Sequence, residues 1–362
     1  MKVKYVERER NRNAMEKMKA FAKVRPEPGG AEYIDFDVPK IGPGEILIEV
    51  KAAGVCGTDI HLYDWAEIMV REYKPQLPVV MGHEFAGRIS ELGSQIDGFQ
   101  AGDKVTACPI LYCGQCSYCK NGQQNICNDR PQLGLGVNGG FAQFVAVRAE
   151  NVYKLDDEVS FQIGALSELT SVGIHAIERI QLKPGNTVAV AGCGPLGLLM
   201  AILARHSGAG SVFITGLEQD RERLALAEKI GAIPISVDKS DPKQQILELT
   251  DGMGADVVFE SAGTPSGVIQ SMDMVRKGGR VSILGQGHAA TEVFTANLSY
   301  REIELVGTRA YTKKDWDNVS NTLRGAAKDL SHIITHRIPL ENAEEGIKLM
   351  KAREGMKIIL EP

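Results

Sequence analysis

The sequence has no apolar run long enough to cross a bilayer, no excess of positive charge, no internal repeat, no low-complexity segment and no Pro/Ser-rich linker. A transmembrane helix needs about 20 consecutive apolar residues, so the first absence argues against a membrane-embedded protein. Lysines and arginines number 41 against 46 acidic residues, a net charge of -5, and this argues against a nucleic acid or other polyanion as partner. Small-molecule chemistry is the better expectation. The opening stretch, with Lys2, Lys4, Glu7, Arg8, Glu9, Arg10, Arg12, Glu16 and Lys17, lacks the apolar segment of a secretory signal, which predicts a cytoplasmic protein. Strand-like sequence starts at Met18-Lys19-Ala20-Phe21, so residues 1–17 read as a disordered N-terminal extension outside the fold. The 362 residues, 43% hydrophobic and 24% charged, suit about two domains at roughly 100–200 residues each.

Cysteine is sparse and odd in number, seven in all, yet four cluster at Cys113, Cys116, Cys119 and Cys127. In a cytoplasmic chain that clustering predicts metal binding rather than disulfides. Four thiolates at C-x2-C-x2-C-x7-C close a tetrahedral zinc site that leaves no position for substrate, so the lobe reads as a structural staple. A zinc-ribbon nucleic-acid module would need a basic helix beside the motif, and none stands there. Cys108 lies outside the spacing and reads as a buried thiol.

A second constellation joins Gly54-Val55-Cys56-Gly57-Thr58-Asp59-Ile60-His61 to Gly82-His83-Glu84. Cys56 alone would read as a small buried hydrophobe. A thiolate, an imidazole and a carboxylate together, with glycines that let the backbone approach closely, form the mixed ligand set of a catalytic zinc with one open position.

From Met18 to about Glu150 the chain is rich in glycine and reads as a mainly β domain of barrel or sandwich type. Its strands are predicted at Ile46–Val50, Phe85–Ser90 and Phe141–Val147. From about Ser167 short apolar runs alternate with amphipathic helices, the texture of βαβ units and a parallel sheet. Thr187–Ala191 reads as a buried strand that runs into Gly192-Cys193-Gly194-Pro195-Leu196-Gly197 and then an apolar helix, Leu198–Arg205. Between strand and helix this G-x-G-x-x-G predicts a dinucleotide pyrophosphate at the helix N-terminus. The next strand, Ser211–Thr215, would end in an acid if it held the ribose of NAD, but Gly216 stands there. Glu218 is the alternative for that ribose. Arg221 and Arg223 would instead admit the 2'-phosphate of NADP, or simply face solvent on a helix, and both cofactors stay open. Further strands are predicted at Asp256–Glu260, Arg280–Gly285 and Glu304–Thr308, with a helix Val268–Lys277. The tail holds a helix around Trp316–Ala327, a strand at Ile333–Thr335, a helix Ala343–Lys351 and a strand Lys357–Leu360.

From Met18 onward the chain resembles the zinc-dependent medium-chain dehydrogenases, in particular the sorbitol (polyol) and threonine dehydrogenase branches. The resemblance rests on the two constellations, the Gly192 fingerprint, Ser167-Glu168-Leu169-Thr170-Ser171-Val172-Gly173-Ile174-His175 and Ile333-Ile334-Thr335-His336-Arg337-Ile338-Pro339-Leu340. Leu62-Tyr63-Asp64-Trp65 looks like the threonine branch and Thr170 to His175 like the polyol branch. The resemblance implies a doubly wound Rossmann domain over 167–309 and a GroES-like catalytic domain over 18–166 and 310–362; the lack of a linker between the halves predicts close packing with a ligand cleft between them. It implies that Cys56 and His83 bind the catalytic zinc, with Glu84 as third ligand or neighbour and Glu168 ligating directly or through water. Thr58 and His61 match the family's proton relay, while His175, His332 and His336 read as structural. The implied reaction is hydride transfer from a zinc-polarised secondary alcohol, a polyol or sugar alcohol, to NAD or NADP, leaving a ketone. L-threonine oxidation is the alternative, and a non-catalytic zinc-binding structural protein the reading from another class. A homo-oligomer, dimer or tetramer, is implied as well.

Overall fold

The computed structural model describes residues 17–287 and 289–362. The extension expected over 1–17 therefore lies, apart from Lys17, outside the described residues. The chain divides into two compact units, one of residues up to Glu168 together with Ile334–Pro362, the other Leu169–Ile333.

In the first unit, Glu45–Gly54 is the central strand, because its apolar residues stay buried along nearly its whole length. Glu84–Leu92 pairs with it antiparallel on one side and Phe144–Arg148 and the terminal strand Lys357–Glu361 pair with it as well. Ile334–Pro339, Lys104–Ala107 and Val152–Lys154 complete seven strands. A smaller sheet is made of Ala31–Asp37, Lys17–Lys23 and Val79–Val80. Ile46, Ile48, Val50, Phe85, Phe141 and Ile358 fill the core between these strands and the helices Gly57–Tyr63 and Ala343–Lys351. Burying an apolar side chain of this size contributes about 1.5–3 kcal/mol.

The second unit is built on six parallel strands in the spatial order Ile233–Ser236, Ser211–Gly216, Thr187–Ala191, Ala255–Glu260, Val275–Ile283, Glu304–Gly307. Numbered along the chain this is 3-2-1-4-5-6, the doubly wound order whose switch point lies between Thr187–Ala191 and Ala255–Glu260. Val188 to Ala191 are fully buried, as a strand covered on both faces must be. The helix Pro195–His206 is buried from Gly197 to Ala204, for the same reason.

One element is new and three expectations are corrected. Gly57–Tyr63, for which the sequence suggested no element, is a helix, because Cys56 caps it and Asp59 accepts the Cys56 N–H at 2.8 Å. The helix expected over Val268–Lys277 runs Pro265–Met274, started by the Thr264 cap and Pro265 and stopped where Val275 pairs with Ala255. The helix expected around Trp316–Ala327 is two, Lys313–Trp316 and Val319–Ser331. Residues 310–333, expected with the catalytic domain, belong to the second unit, since Val319–Ser331 packs on Pro195–His206.

Candidate active site

The first unit brings Cys56, His83 and Glu84 together, and one ligand atom from each lies within 4.8 Å of the others. Backbone pairing does this: Gly54 and Glu84 are register partners across the two central strands, so the residues flanking them converge. Gly82 holds the turn before His83 at a φ of +86°, where a side chain would run into the Phe141 ring.

A buried carboxylate adjoins both Cys56 and His83. Asp59 Oδ2 takes the Cys56 N–H, and Oδ1 lies 3.4 Å from His83 Nδ1. Both of those last two atoms are buried without a hydrogen-bond partner, so they face each other as charge and proximity only. Nδ1 is thus oriented by Asp59, which leaves Nε2 for an ion, the carboxylate–histidine–metal arrangement. The surroundings of His83 ask for positive charge: burial opposes it, yet Asp59 and then Cys56 hold the imidazole pKa well above 6.5. A divalent cation meets the same demand with the imidazole neutral, so the donor set fits zinc.

Sequence reasoning missed Lys357. Its ammonium, buried on the terminal strand, donates to Glu84 Oε1 at 2.5 Å, to Oε2, and to Val55 O at 3.3 Å. Burial pushes its pKa down, but Glu84, Cys56 and, more weakly, Glu168 more than offset that and raise it above 10.5. Glu168, in the first turn of the helix Ser167–Ile180, is buried near this cluster but is not one of the three groups whose ligand atoms converge. Thr58 Oγ1 lies 3.6 Å from Cys56 Sγ, and His61 is exposed one turn further along the same helix.

The cysteine lobe is compact. Sγ separations are 3.9 Å for Cys113–Cys119, 3.8 Å for Cys116–Cys127 and 3.4 Å for Cys113–Cys127. A tetrahedron with zinc–sulfur bonds of about 2.3 Å has sulfur–sulfur edges of about 3.8 Å, so the four thiols fit one ion. Backbone N–H groups point at the sulfurs, Cys119 to Cys116 at 3.5 Å and Cys116 to Cys113 at 3.4 Å. The Cys119 N–H, first among several, holds the Cys116 thiol down to about 6, while burial pushes Cys119 up to about 12.

In the second unit the Gly192 N–H donates to Thr215 O at 3.2 Å, and the hydroxyl of Ser261, across the switch point, donates to Ala191 O and Gly192 O at 2.9 and 3.1 Å. Gly194 caps the helix and Pro195 opens it, with Leu196 and Gly197 in its first turn. Buried Glu260 accepts the N–H groups of Ala262 at 3.0 Å and Gly263 at 2.8 Å. It thereby pins the loop after its strand.

Gly216 has a steric cause. A Cβ there would overlap the Cys193 sulfur and crowd Leu224, so an acid cannot stand at that point. Two carboxylates lie just beyond: the Glu218 N–H donates to Asp238 Oδ2 at 2.6 Å, and the Glu218 side chain pairs with Lys239 at 2.7 Å. Arg223 is turned to Asp220 at 3.9 Å, and Arg221 is exposed.

Two family profiles match the chain, "Alcohol dehydrogenase GroES-like domain" over residues 42–157 and "Zinc-binding dehydrogenase" over 195–324. An L-threonine 3-dehydrogenase of Bacillus velezensis is 35% identical over 96% of this chain and 99% of its own length. A sorbitol dehydrogenase of Halalkalibacterium halodurans is also 35% identical, over 95% and 99%. The solved structure of 2R,3R-butanediol dehydrogenase from Bacillus subtilis superposes with a TM-score of 0.86 at 30% identity, over 95% of this chain and 99% of that one. The chain belongs to the zinc-binding alcohol dehydrogenases, with a GroES-like domain and a Rossmann domain. It is a zinc-dependent oxidoreductase that exchanges hydride between the CH–OH group of a small alcohol and NAD or NADP. Among the described residues no helix is long and apolar enough to cross a membrane.

Proposed function

We propose that the substrate is an uncharged secondary alcohol of the polyol or sugar-alcohol class, oxidised to its ketone at Cys56 and His83. The observation that carries this is the pairing of charge around the two ligands: Lys357 is committed to Glu84 and Asp59 to His83. A zwitterionic amino acid needs counter-charges of its own, and these groups are already committed to each other, whereas a polyol asks only for hydrogen bonds. The L-threonine reading keeps the support of the relatives of that name, 34–36% identical, and of Leu62–Trp65.

Cys56 and His83 hold the catalytic zinc in this reading, and Cys113, Cys116, Cys119 and Cys127 the structural one. Glu84, held by Lys357, is a neighbour of the ion more than a ligand, and Glu168 is the further carboxylate. When bound, the zinc would supply Lewis acidity at the substrate hydroxyl and the nicotinamide would be the hydride acceptor. Thr58 takes the hydroxyl proton and passes it towards His61, which exchanges it with solvent near neutral pH. Gly192, Gly194, Pro195, Leu196 and Gly197 hold the pyrophosphate at the helix N-terminus. Glu218, with Asp238 beside it, takes the ribose hydroxyls and repels a 2'-phosphate, which favours NAD. Arg221 faces solvent, and Arg223 stays with Asp220.

The test is the initial rate of NAD and NADP reduction by the zinc-loaded protein over polyols, simple secondary alcohols and L-threonine. Turnover of a polyol with NAD is expected; turnover of threonine alone would move the protein to the second reading, and an NADP preference would contradict the role of Glu218. A cytoplasmic location accords with the clustered thiols, and secretion detected by fractionation would contradict it. A homo-oligomer, dimer or tetramer, is supported by the sheet edge at Glu304–Gly307, where Leu305, Tyr300 and Phe294 are exposed. A single-chain species in sedimentation velocity would contradict that.

A further inference from the structure

Lys23 ends the strand Lys17–Lys23 as a fully buried lysine outside both metal clusters. Its ammonium donates to Tyr63 O at 2.7 Å and Glu27 O at 2.5 Å, and lies 5.8 and 5.5 Å from the ring centres of Tyr63 and Trp65. Tyr63 is the last residue of the helix Gly57–Tyr63, whose first turn carries Thr58 and whose last carries His61. A cation at that end meets the negative pole of the helix. Glu27 belongs to the loop 24–30, which also reaches the helix end through the Gly29 N–H, 3.1 Å from Tyr63 O.

We propose that Lys23 is a positioning residue for the reaction, clamping the end of the helix that bears Thr58 and His61 to the loop 24–30 and so fixing where those two side chains stand beside Cys56. The inference rests on the relay reading above. The charged groups around Lys23 leave the role to it: Asp64 is paired with Lys351 at 2.6 Å, Arg25 with Glu27 and Glu32, and Glu344, which also pairs with Lys348, takes the Tyr63 hydroxyl at 2.6 Å. Burial lowers the Lys23 pKa from 10.5 to about 8, with Asp64 and Glu27 opposing and Arg25 assisting. The unfolded chain thus holds this proton more tightly than the fold does. Stability from this group rises as pH climbs from about 8 to about 10.5, and below pH 8 the fold carries the full penalty of the buried charge.

The Lys23→Met variant is expected to fold, because Tyr63 O keeps the Gly29 N–H and Glu27 O keeps the Gly30 N–H, each at 3.1 Å. Its kcat for alcohol oxidation is expected to fall about tenfold with KM for the nicotinamide cofactor unchanged, since a displaced relay loses part of its acid–base advantage. Trp65 gives a readout independent of turnover: the wild-type tryptophan emission is expected to titrate near pH 8 as the ammonium over its ring deprotonates, and K23M to lose that titration. Tyr63 does not interfere, since burial and its bond to Glu344 push its pKa up to about 12. A K23M enzyme with wild-type kcat beside a slow H61A enzyme overturns the clamp and leaves the relay standing. Wild-type kcat in H61A overturns the relay and the purpose of the clamp with it.

Discussion

Replacing Asp59 by asparagine is expected to weaken zinc binding at Cys56 and His83 by about 10–100-fold, the usual effect of removing an outer-shell carboxylate. Asp59 is fully buried, and its two oxygens serve different ligands: one takes the Cys56 N–H at 2.8 Å and the other faces His83 Nδ1 at 3.4 Å. The asparagine keeps the shape and one oxygen, but it removes the negative charge that favours a cation beside the imidazole. It also turns an amide donor towards one of two N–H donors. Under graded chelation the variant should lose one zinc far earlier than wild type while the cysteine lobe keeps its own. Unchanged retention of both ions would show that Asp59 does not support the site.

Replacing Lys357 by methionine is expected to destabilise the first unit by about 3–5 kcal/mol, because the Glu84 carboxylate would be left buried and unpaired. Both side chains are essentially inaccessible to solvent, so water cannot replace the lost partner. At about 2–4 °C per kcal/mol the thermal midpoint should fall on the order of 10 °C. The double variant K357M/E84L, apolar on both sides, should recover most of the loss. A K357M midpoint equal to that of wild type would mean that Glu84 has another partner or is protonated.

The parts of this molecule written in local sequence were legible. The strand-turn-helix at Thr187–His206, the four-cysteine spacing and the pairing of Cys56 with His83 all appear as short patterns, and the structure places each as a compact unit. What escaped is long-range. Lys357 meets Glu84 across 273 residues, and Lys23 meets Tyr63 across 40, distances over which no periodicity carries information. Gly216 reads as a missing acid in the sequence, and the reason for it, the Cys193 sulfur in the space of a side chain, is a contact made only in the fold. Asp59 could have been found, since an acid three residues after a capping position is a helix-start signature. A cysteine at the cap instead of serine or threonine hid it. Helix ends slipped where a β-branched residue, Val275, was drawn into the sheet by its partner Ala255.

In the proposed function Cys56 and His83 hold a zinc on which turnover depends, distinct from the zinc of the cysteine lobe. Zinc content per folded chain, measured beside alcohol-oxidation rate for wild type, His83→Ala and Cys116→Ser, tests it most directly. Two ions are expected in wild type and one in each variant, with H83A folded and inactive and C116S losing thermal stability. Two ions in H83A, or undiminished turnover with one, would contradict the claim.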